Sequence, residues 1–215
     1  MNRVRKTGKD EGNEGLIEWC DAISAVMKEL SDFALGSGSA SVSAPKAQQS
    51  SAPSKGTMEK DGNKWTLTGY NGDKEVIVDG TTHQTSVYIY DCHDSVFQIK
   101  GKVTAVTVDK ASKVGVLVED VIASVDIVNS RRSQLQVTGY APTIVIDASE
   151  TITLYLPEHR AEGDTSILTS KTAEINVIRP HGEESVEVAL PEQFRSVFDP
   201  ASGKYITEAV AHTGV

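Results

Sequence analysis

Apolar residues near the start of the chain recur at intervals of three and four positions, between Leu16 and Phe33. The stripe consists of Leu16, Trp19, Cys20, Ile23, Val26, Met27, Leu30 and Phe33. This spacing predicts a short amphipathic α-helix within residues 1–35. Because one helix cannot bury its apolar stripe alone, we expect it to pack on the rest of the chain, on a second copy or on a partner.

Residues 36–57 break this pattern. They are mostly Ser, Ala, Gly, Pro and Gln, and Val42 is their only large apolar residue. Such a composition cannot bury a core and is typical of a flexible linker. We therefore divide the chain into a helix (1–35), a linker (36–57) and a folded domain (58–215).

From Met58 onward the apolar period shortens to two and β-branched residues dominate, which is typical of strands. Pairs of apolar residues flanking one central position recur here. The pairs are Val87/Ile89, Phe97/Ile99, Val106/Val108, Val116/Val118, Val125/Ile127, Leu135/Val137, Ile144/Ile146 and Leu154/Leu156. Their first members are separated by ten and nine positions in alternation, so every second pair recurs after nineteen. This interval predicts strands of about five residues and corners of about four.

The interval of nineteen residues predicts one full coil of a parallel β-helix with two flattened sheets, in which each strand pairs with the next strand but one. The ladders would be Val87, Val106, Val125 and Ile144 on one side, and Phe97, Val116, Leu135 and Leu154 on the other. A β-sandwich also has turns at such spacing and is the alternative. The residues between Tyr88 and Tyr155 contain no Asn-Gly or Asp-Gly dipeptide, which favours the β-helix.

The same register mixes polar and exposed apolar side chains on the outside of the coil. One sheet presents Tyr88, Thr107, Asp126 and Val145, and the other presents Gln98, Leu117, Gln136 and Tyr155. Such faces suit a broad protein-binding surface better than a catalytic cleft. The repeat is interrupted from Pro157 to Asp164, where we expect a corner insertion.

The end of the chain contains two further strand-like segments, Glu192 to Phe198 and Tyr205 to Val210, which predict a β-hairpin. Its apolar residues are Phe194, Val197, Phe198, Tyr205 and Ile206. Because an open end of a β-helix exposes unpaired strand edges, we expect this hairpin to fold back as a cap or to pair with a second copy.

The charge balance narrows the class of partner. Thirty acidic and 21 basic residues give a formal net charge of −9, which disfavours nucleic acid, whose phosphates need a basic surface. No apolar run is long enough to insert into a membrane, and the first residues carry no secretion signal. Since the two cysteines, Cys20 and Cys92, lie far apart, we expect a reducing cytoplasmic location.

Motifs for catalysis or metal binding are weak. The histidines and cysteines have no metal-binding spacing, and no phosphate-binding or nucleophile motif occurs. One cluster brings a thiol near possible bases: Asp91, Cys92, His93 and Asp94. Because successive corner residues point in different directions, the thiol and a base are not expected to converge as a nucleophilic site requires. Paired acids such as Glu119 and Asp120 leave a polysaccharide-cleaving β-helix as the enzyme alternative. We expect no catalytic residue, no metal and no cofactor.

Several strings between about Trp65 and Gly214 closely resemble the C-terminal β-sheet domain of the cyclase-associated proteins. They include VYIYDCHDSVFQIKGKVTAVTVDK, TSKTAEINVIRP and LPEQFRSVF. Residues 1–35 resemble the last portion of that family's helical folded domain. The resemblance implies a right-handed parallel β-helix that forms a homodimer by exchanging its C-terminal hairpin. The implied dimer residues are Leu190, Phe194, Val197, Phe198, Tyr205 and Ile206.

The resemblance also implies a function, which is to bind actin monomers and promote exchange of their ADP for ATP beside cofilin. Adenylyl cyclase is a further implied partner, and the actin cytoskeleton is the implied location. Because actin is acidic, charged residues at the edges of the sheets are candidate contacts. They are Lys100, Lys102, Asp109, Glu119, Asp120 and Arg131.

Two other functions stay open. The related tubulin-cofactor-C-like fold resembles a GTPase activator that uses the arginine of a Gln-x-Arg motif. The matching string here is Gln98-Ile99-Lys100, and lysine lacks the planar fork of an arginine finger. The other alternative is a structural scaffold that only oligomerises.

Overall fold

The computed structural model describes residues 55–159, 163–182 and 184–210. The predicted helix (1–35) and almost all of the predicted linker lie outside these residues. The described part is built from β-strands. They are β1 (Thr57–Asp61), β2 (Lys64–Thr68), β3 (Val76–Val78), β4 (Ser86–Tyr90), β5 (Val96–Asp109), β6 (Gly115–Val128), β7 (Arg131–Tyr140), β8 (Thr143–Asp147), β9 (Glu150–Tyr155), β10 (Ser166–Ser170), β11 (Ala173–His181), β12 (Glu184–Ala189), β13 (Phe194–Asp199) and β14 (Lys204–Ala209).

The strands coil into two parallel sheets. The first sheet stacks β2, β4, the second halves of β5 and β6, β8 and β10. The second stacks β3, the first halves of β5 and β6, β7, β9 and β11. Val87 pairs with Val106 and Phe97 pairs with Val116. Both pairs are nineteen residues apart, as the sequence predicts. The prediction of a parallel β-solenoid is confirmed, and the antiparallel sandwich alternative is wrong.

The two predicted inner ladders form the core. All eight of their members are buried, with Phe97 as the largest side chain and Ile144 and Leu154 at the later rungs. β-branched side chains suit this column because they pack well on a pleated surface. Since burial of each such side chain contributes about 1.5–3 kcal/mol, stacking of successive rungs is the main source of stability.

One outer position departs from the prediction. Leu117 lies on the outer side of its strand, between the buried Val116 and Val118, yet only 3% of its surface is exposed. Its register neighbours on this outer face are Gln98 and Gln136, and both are partly buried. The expectation of an exposed leucine on this face is therefore wrong.

The two edges of the coil differ. At the bend edge, which comprises residues 100–104, 119–123 and 138–142, the 14-residue strands β5 and β6 continue from one sheet to the other. Register shifts near Lys102 and Val103 let these strands bend without ending. The prediction of five-residue strands separated by corners of four is wrong at this edge.

The corner edge comprises residues 91–94, 110–113, 129–132 and 148–151, where the strands do end. The first and last residue of every such corner has a positive φ. Asp91, Asp94 and Asn129 are residue types that tolerate this left-handed conformation, whereas Thr151 (φ 57°) is β-branched and strained there. The corner backbone is therefore imposed by the stacked coils rather than by local sequence.

Buried serines stabilise the corner edge. Ser130 Oγ accepts a hydrogen bond from the Ala111 N–H of the preceding coil (3.1 Å) and donates one to the Val128 carbonyl (2.8 Å). Ser133 Oγ bonds the Val114 N–H in the same way. These hydroxyls satisfy backbone groups that the corner would otherwise leave buried and unpaired.

Within the described residues, each end of the solenoid is closed on one sheet only. At the start, β1 pairs antiparallel with β2 and covers the first sheet. At the other end, β12 pairs antiparallel with β11 and covers the second sheet. Among the described strands, β10 pairs only with β8, so the final edge of the first sheet stays open.

Candidate protein-binding surfaces

The bend edge brings four of the predicted contact residues together. They are Lys100, Lys102, Glu119 and Asp120. Lys102 and Asp120 are register partners on neighbouring coils. Lys102 and Glu119 are exposed, and Lys100 and Asp120 are partly buried. This edge therefore presents two cations on one coil beside two carboxylates on the next.

Two glycines, Gly101 and Gly139, allow neighbouring coils to approach each other closely at the bend edge. Gly101 has a φ of 80° and its N–H donates a hydrogen bond to Glu119 Oε2 (2.8 Å), which orients that carboxylate. A Cβ at Gly139 would lie 2.5 Å from Asp120 Oδ1 and 2.8 Å from the Glu119 carbonyl oxygen. Larger residues at position 139 would therefore displace both acids.

Sequence reasoning missed an apolar group at the bend edge. Ile122 is 43% exposed and stands in the same stretch of β6 as Glu119 and Asp120. The predicted alternation of five-residue strands and four-residue corners places Ile122 in a corner, where the pattern assigns no side-chain direction. Because β6 continues through the bend, Val121 points into the core and Ile122 points out.

Of the other two predicted contact residues, Arg131 lies at the corner edge, and Asp109, the last residue of β5, lies directly beside it. Asp109 Oδ2 accepts a hydrogen bond from the Tyr88 hydroxyl (3.0 Å) and its Oδ1 accepts one from Asn129 Nδ2 (3.1 Å). Arg131 Nε lies 3.9 Å from Glu150 Oε1. Since the two edges lie on opposite sides of the coil, these residues do not share a contact patch with Lys100 and Lys102.

Two tyrosines form an ordered pair on the outer face of the first sheet. The Tyr88 and Tyr90 rings stack with centroids 5.8 Å apart. Lys64 Nζ lies 5.0 Å from the Tyr88 ring centroid and Lys110 Nζ lies 5.1 Å from that of Tyr90. Partial burial, followed by the hydrogen bond to Asp109, raises the pKa of Tyr88. The sequence predicts the outer position of Tyr88 but gives no signal for the two lysines, which come from other coils.

The terminal hairpin of β13 and β14 forms a separate two-stranded sheet. Its register divides the five predicted apolar residues between two faces. Phe194, Phe198 and Tyr205 share an uncharged face with Ser196, Thr207 and Ala209. Val197 and Ile206 lie on the opposite face, with Arg195, Asp199, Lys204 and Glu208.

The uncharged face of the hairpin is also ordered by its own contacts. Phe198 and Tyr205 meet edge to face at 5.5 Å, and the hydroxyls of Ser196 and Thr207 are 2.9 Å apart. Leu190, the sixth predicted dimer residue, precedes the hairpin. It is partly buried against the solenoid core, and its N–H donates a hydrogen bond to the Ile175 carbonyl.

The cluster from Asp91 to Asp94 does not form a reactive thiol site. Cys92 is fully buried, whereas His93 Nε2 lies 3.4 Å from Asp91 Oδ1 among exposed side chains. Burial raises the pKa of the Cys92 thiol, which disfavours the thiolate needed for nucleophilic attack. Within the described ranges, no three His, Cys, Asp or Glu side chains are grouped as metal ligands. The same residues contain no helix that could span a membrane.

Comparisons with known proteins agree with this architecture. Residues 54–212 match the family model described as "Adenylate cyclase associated (CAP) C terminal". Cyclase-associated protein 1 of Arabidopsis thaliana is 37% identical over 214 residues, which cover 98% of this chain and 42% of that protein. Adenylyl cyclase-associated protein 2 of Mus musculus is 35% identical over 166 residues, or 76% of this chain and 34% of that protein.

A solved structure shows the same fold. The crystal structure of cyclase-associated protein from Cryptosporidium parvum has a TM-score of 0.68 and 23% sequence identity, and the match covers 76% of this chain and 100% of that chain. The present chain spans less than half the length of the two relatives from Arabidopsis thaliana and Mus musculus. Because the family model matches most of its residues, the chain belongs to the adenylyl cyclase-associated protein family, whose C-terminal domain it contains.

Proposed function

We propose that this chain binds actin monomers, promotes exchange of their ADP for ATP and so regulates filament turnover. Membership of the cyclase-associated family is the observation that carries the proposal. The exposed, charged bend edge supports it, because a protein partner with complementary charges can dock there without a pocket. No covalent chemistry is required, and we propose a binding protein that is not an enzyme and uses no cofactor.

Exchange is accelerated only by a difference in affinity. The chain must bind actin in the nucleotide-releasing conformation more tightly than actin in the closed, loaded conformation. A tenfold increase in the release rate requires about 1.4 kcal/mol of such preference. Lys100, Lys102, Glu119 and Asp120 are the contacts that we assign to this task. Ile122 adds an apolar group beside these charges.

The proposed homodimer is supported by two features that complement each other. On the core side of β12, Val186 and Val188 stay exposed because β10 has no further strand beyond it among the described elements. The hairpin supplies exposed strands and an uncharged face that includes Phe194 and Phe198. An exchange of hairpins between two copies would cover both surfaces.

The remaining features of the proposal follow from the family. They are a right-handed coil, a helical segment in residues 1–35, cofilin and adenylyl cyclase as additional partners, and a cytoplasmic location on the actin cytoskeleton. The handedness agrees with the rule for connections between parallel strands.

The decisive experiment is the release of a fluorescent ADP analogue from purified actin, with and without the chain. We expect faster release with the wild-type protein and a weaker effect with Lys100→Glu, Lys102→Glu. A matched control, Lys55→Glu, Lys171→Glu, carries the same change of net charge at exposed positions away from the bend edge.

Three results would contradict the proposal. Unchanged nucleotide release with the wild-type protein removes the function and leaves a scaffold. Equal loss in both variants removes the bend edge from the contact. Faster GTP hydrolysis by a small G protein, without any effect on actin, would favour the GTPase activator instead.

A further inference from the structure

Two successive corners carry a compact group of cations. Lys110 and Lys113 belong to one corner, and Arg131 and Arg132 belong to the next. The corners are joined directly, since the Lys113 N–H donates to the Arg131 carbonyl (3.1 Å) and the Arg131 N–H donates to the Ala111 carbonyl (2.9 Å). The four side chains are exposed and therefore form one basic patch, which we call the basic corner.

The backbone beneath the basic corner is left-handed at three positions. Lys110, Lys113 and Arg132 have φ angles of 55°, 56° and 49°, in a region where Gly, Asn or Asp is less strained. In the preceding corner the equivalent positions are Asp91 and Asp94. The long basic side chains thus occupy left-handed positions that small residues fill with less strain.

The charges of the basic corner are only partly compensated within the described residues. No side-chain hydrogen bond or ion pair of Lys113 or Arg132 occurs there. Arg131 has only a long contact with Glu150, 3.9 Å between Nε and Oε1. Lys110 donates a hydrogen bond to the Tyr90 hydroxyl (2.9 Å), and this bond, together with the nearby charges of Asp109 and Asp91, raises the pKa of Lys110. The patch therefore attracts an anionic group.

Acidic rungs limit the size of this patch. Asp91 and Asp94 lie on the coil before it, and Glu150 lies on the coil after it. The basic corner is thus two rungs wide, about 10 Å, which matches about three residues of an extended peptide. A longer polyanion, such as nucleic acid, would meet the flanking carboxylates and the net charge of −9.

An aromatic platform adjoins the basic corner. Lys110 connects the two, because it belongs to the corner and also contacts the Tyr90 ring and hydroxyl. Tyr88 is fixed by its hydrogen bond to Asp109 and by stacking on Tyr90. Rings that are already ordered lose little conformational entropy on binding. An apolar or aromatic residue next to an acidic segment would find a contact here.

We propose that the basic corner and the tyrosine pair bind a short acidic peptide segment of a protein partner, at a site separate from the bend edge. The carboxylates pair with Lys113, Arg131 and Arg132, and a neighbouring apolar side chain lies beside the Tyr88 and Tyr90 pair. The two edges then allow one domain to hold two partners at the same time. This site is independent of the proposed actin contact.

The test uses a fluorescein-labelled synthetic peptide of Asp and Glu residues with one Phe, and a matched peptide in which Asn and Gln replace the acids. Fluorescence anisotropy should show binding of the acidic peptide only, and binding should weaken as salt is added. Lys113→Glu, Arg132→Glu should reduce the affinity at least about fivefold. The control Lys55→Glu, Lys171→Glu should bind like the wild type, since Lys171 shares the left-handed corner backbone (φ 50°).

Thermal melting of each variant establishes that it is folded. Equal affinity of the wild type and Lys113→Glu, Arg132→Glu for the acidic peptide would overturn the proposal, as would equal binding of the neutral peptide. Labelled single-stranded DNA and vesicles containing phosphatidylserine complete the test. Stronger binding of either, dependent on Lys113 and Arg132, would replace the acidic peptide with that ligand.

Discussion

Removal of two aromatic rings from the uncharged face of the hairpin should strongly weaken pairing between copies without unfolding the solenoid. Phe194 and Phe198 lie on this face and are 60% and 51% exposed in the single chain. Because β13 and β14 contact no other described strand, truncation of these rings leaves the core of each protomer intact. The variant Phe194→Ala, Phe198→Ala therefore separates association from folding.

The magnitude follows from the area that each ring still exposes. Full burial of an exposed Phe side chain contributes about 1.5–3 kcal/mol, and roughly half of each ring is left to bury, so each substitution should cost about 1 kcal/mol. An exchange between two identical chains uses this face twice. The two substitutions in both protomers then cost about 4 kcal/mol, a rise of roughly a thousandfold in the dimer dissociation constant.

Sedimentation equilibrium measures this constant directly, and urea titration of the same samples reports the stability of the solenoid. The matched control is Val197→Ala, Ile206→Ala, which removes apolar area from the charged face. It should weaken the dimer much less. An unchanged dimer in the phenylalanine variant would show that the hairpin is not the joint, and equal weakening in the control would show that the docking face was assigned wrongly.

Three further predictions concern the solenoid itself. Ala148 has a left-handed backbone (φ 48°), so Ala148→Gly should raise the free energy of unfolding by about 1 kcal/mol, whereas Ala123→Gly, within a strand, should lower it. Ser130→Ala should lower the free energy of unfolding by about 1–3 kcal/mol, because a buried amide N–H loses its acceptor. The control Ser112→Ala should leave the free energy of unfolding nearly unchanged. Asp164→Asn should lower the free energy of unfolding by about 0.5–1 kcal/mol near neutral pH, since the ion pair with Arg179 is partly exposed. In strong acid the substitution should have no effect.

The sign of the last prediction follows from the partners of Asp164. Hydrogen bonds from Arg179 and His159 hold the pKa of this carboxyl well below its ordinary value of 3.8. Its contribution is therefore complete above the pKa of the unfolded chain and is lost as the pH falls toward the lower folded value. Urea titrations across this pH range check it, and a difference between wild type and Asp164→Asn that persists in strong acid would contradict it.

Urea titrations also decide the other two predictions. A lower stability of Ala148→Gly would show that the corner is not strained. Equal effects of Ser130→Ala and Ser112→Ala would show that the buried hydroxyl is replaceable, for example by water.

The core could be predicted from the sequence because its information is local and repeated. Each coil places apolar side chains such as Val106 and Val116 at fixed positions, and the repeat of nineteen residues makes the stacking partner of each one readable. The burial of Leu117 could not be predicted, because its place on the outer side of the strand gives no sign of what surrounds it. The left-handed backbone of the corners could not be predicted either, since Lys110 and Thr151 are not residue types that favour a positive φ.

The candidate surfaces were predicted only in part. Charged residues at the edges were recognised, but successive edges of a coil lie on opposite sides, so Lys100 and Asp109 belong to different surfaces. Lys100 and Asp109 are nine residues apart, which is about half a coil, so this spacing already predicts that they lie on opposite edges. The two faces of the hairpin follow likewise from the alternation of Val197 and Phe198. The contacts of Lys64 and Lys110 with tyrosines depend on side-chain positions that no sequence pattern shows.

The repeated corner has a consequence for how such a domain can change in length. Since every coil enters and leaves its corner with the same backbone geometry, duplication or deletion of a complete coil would leave the closing strands at both ends undisturbed. Each added coil would move those ends apart by one step of about 4.8 Å. The distance between the two closing strands, β1 and β12, is therefore fixed by the whole number of coils between them.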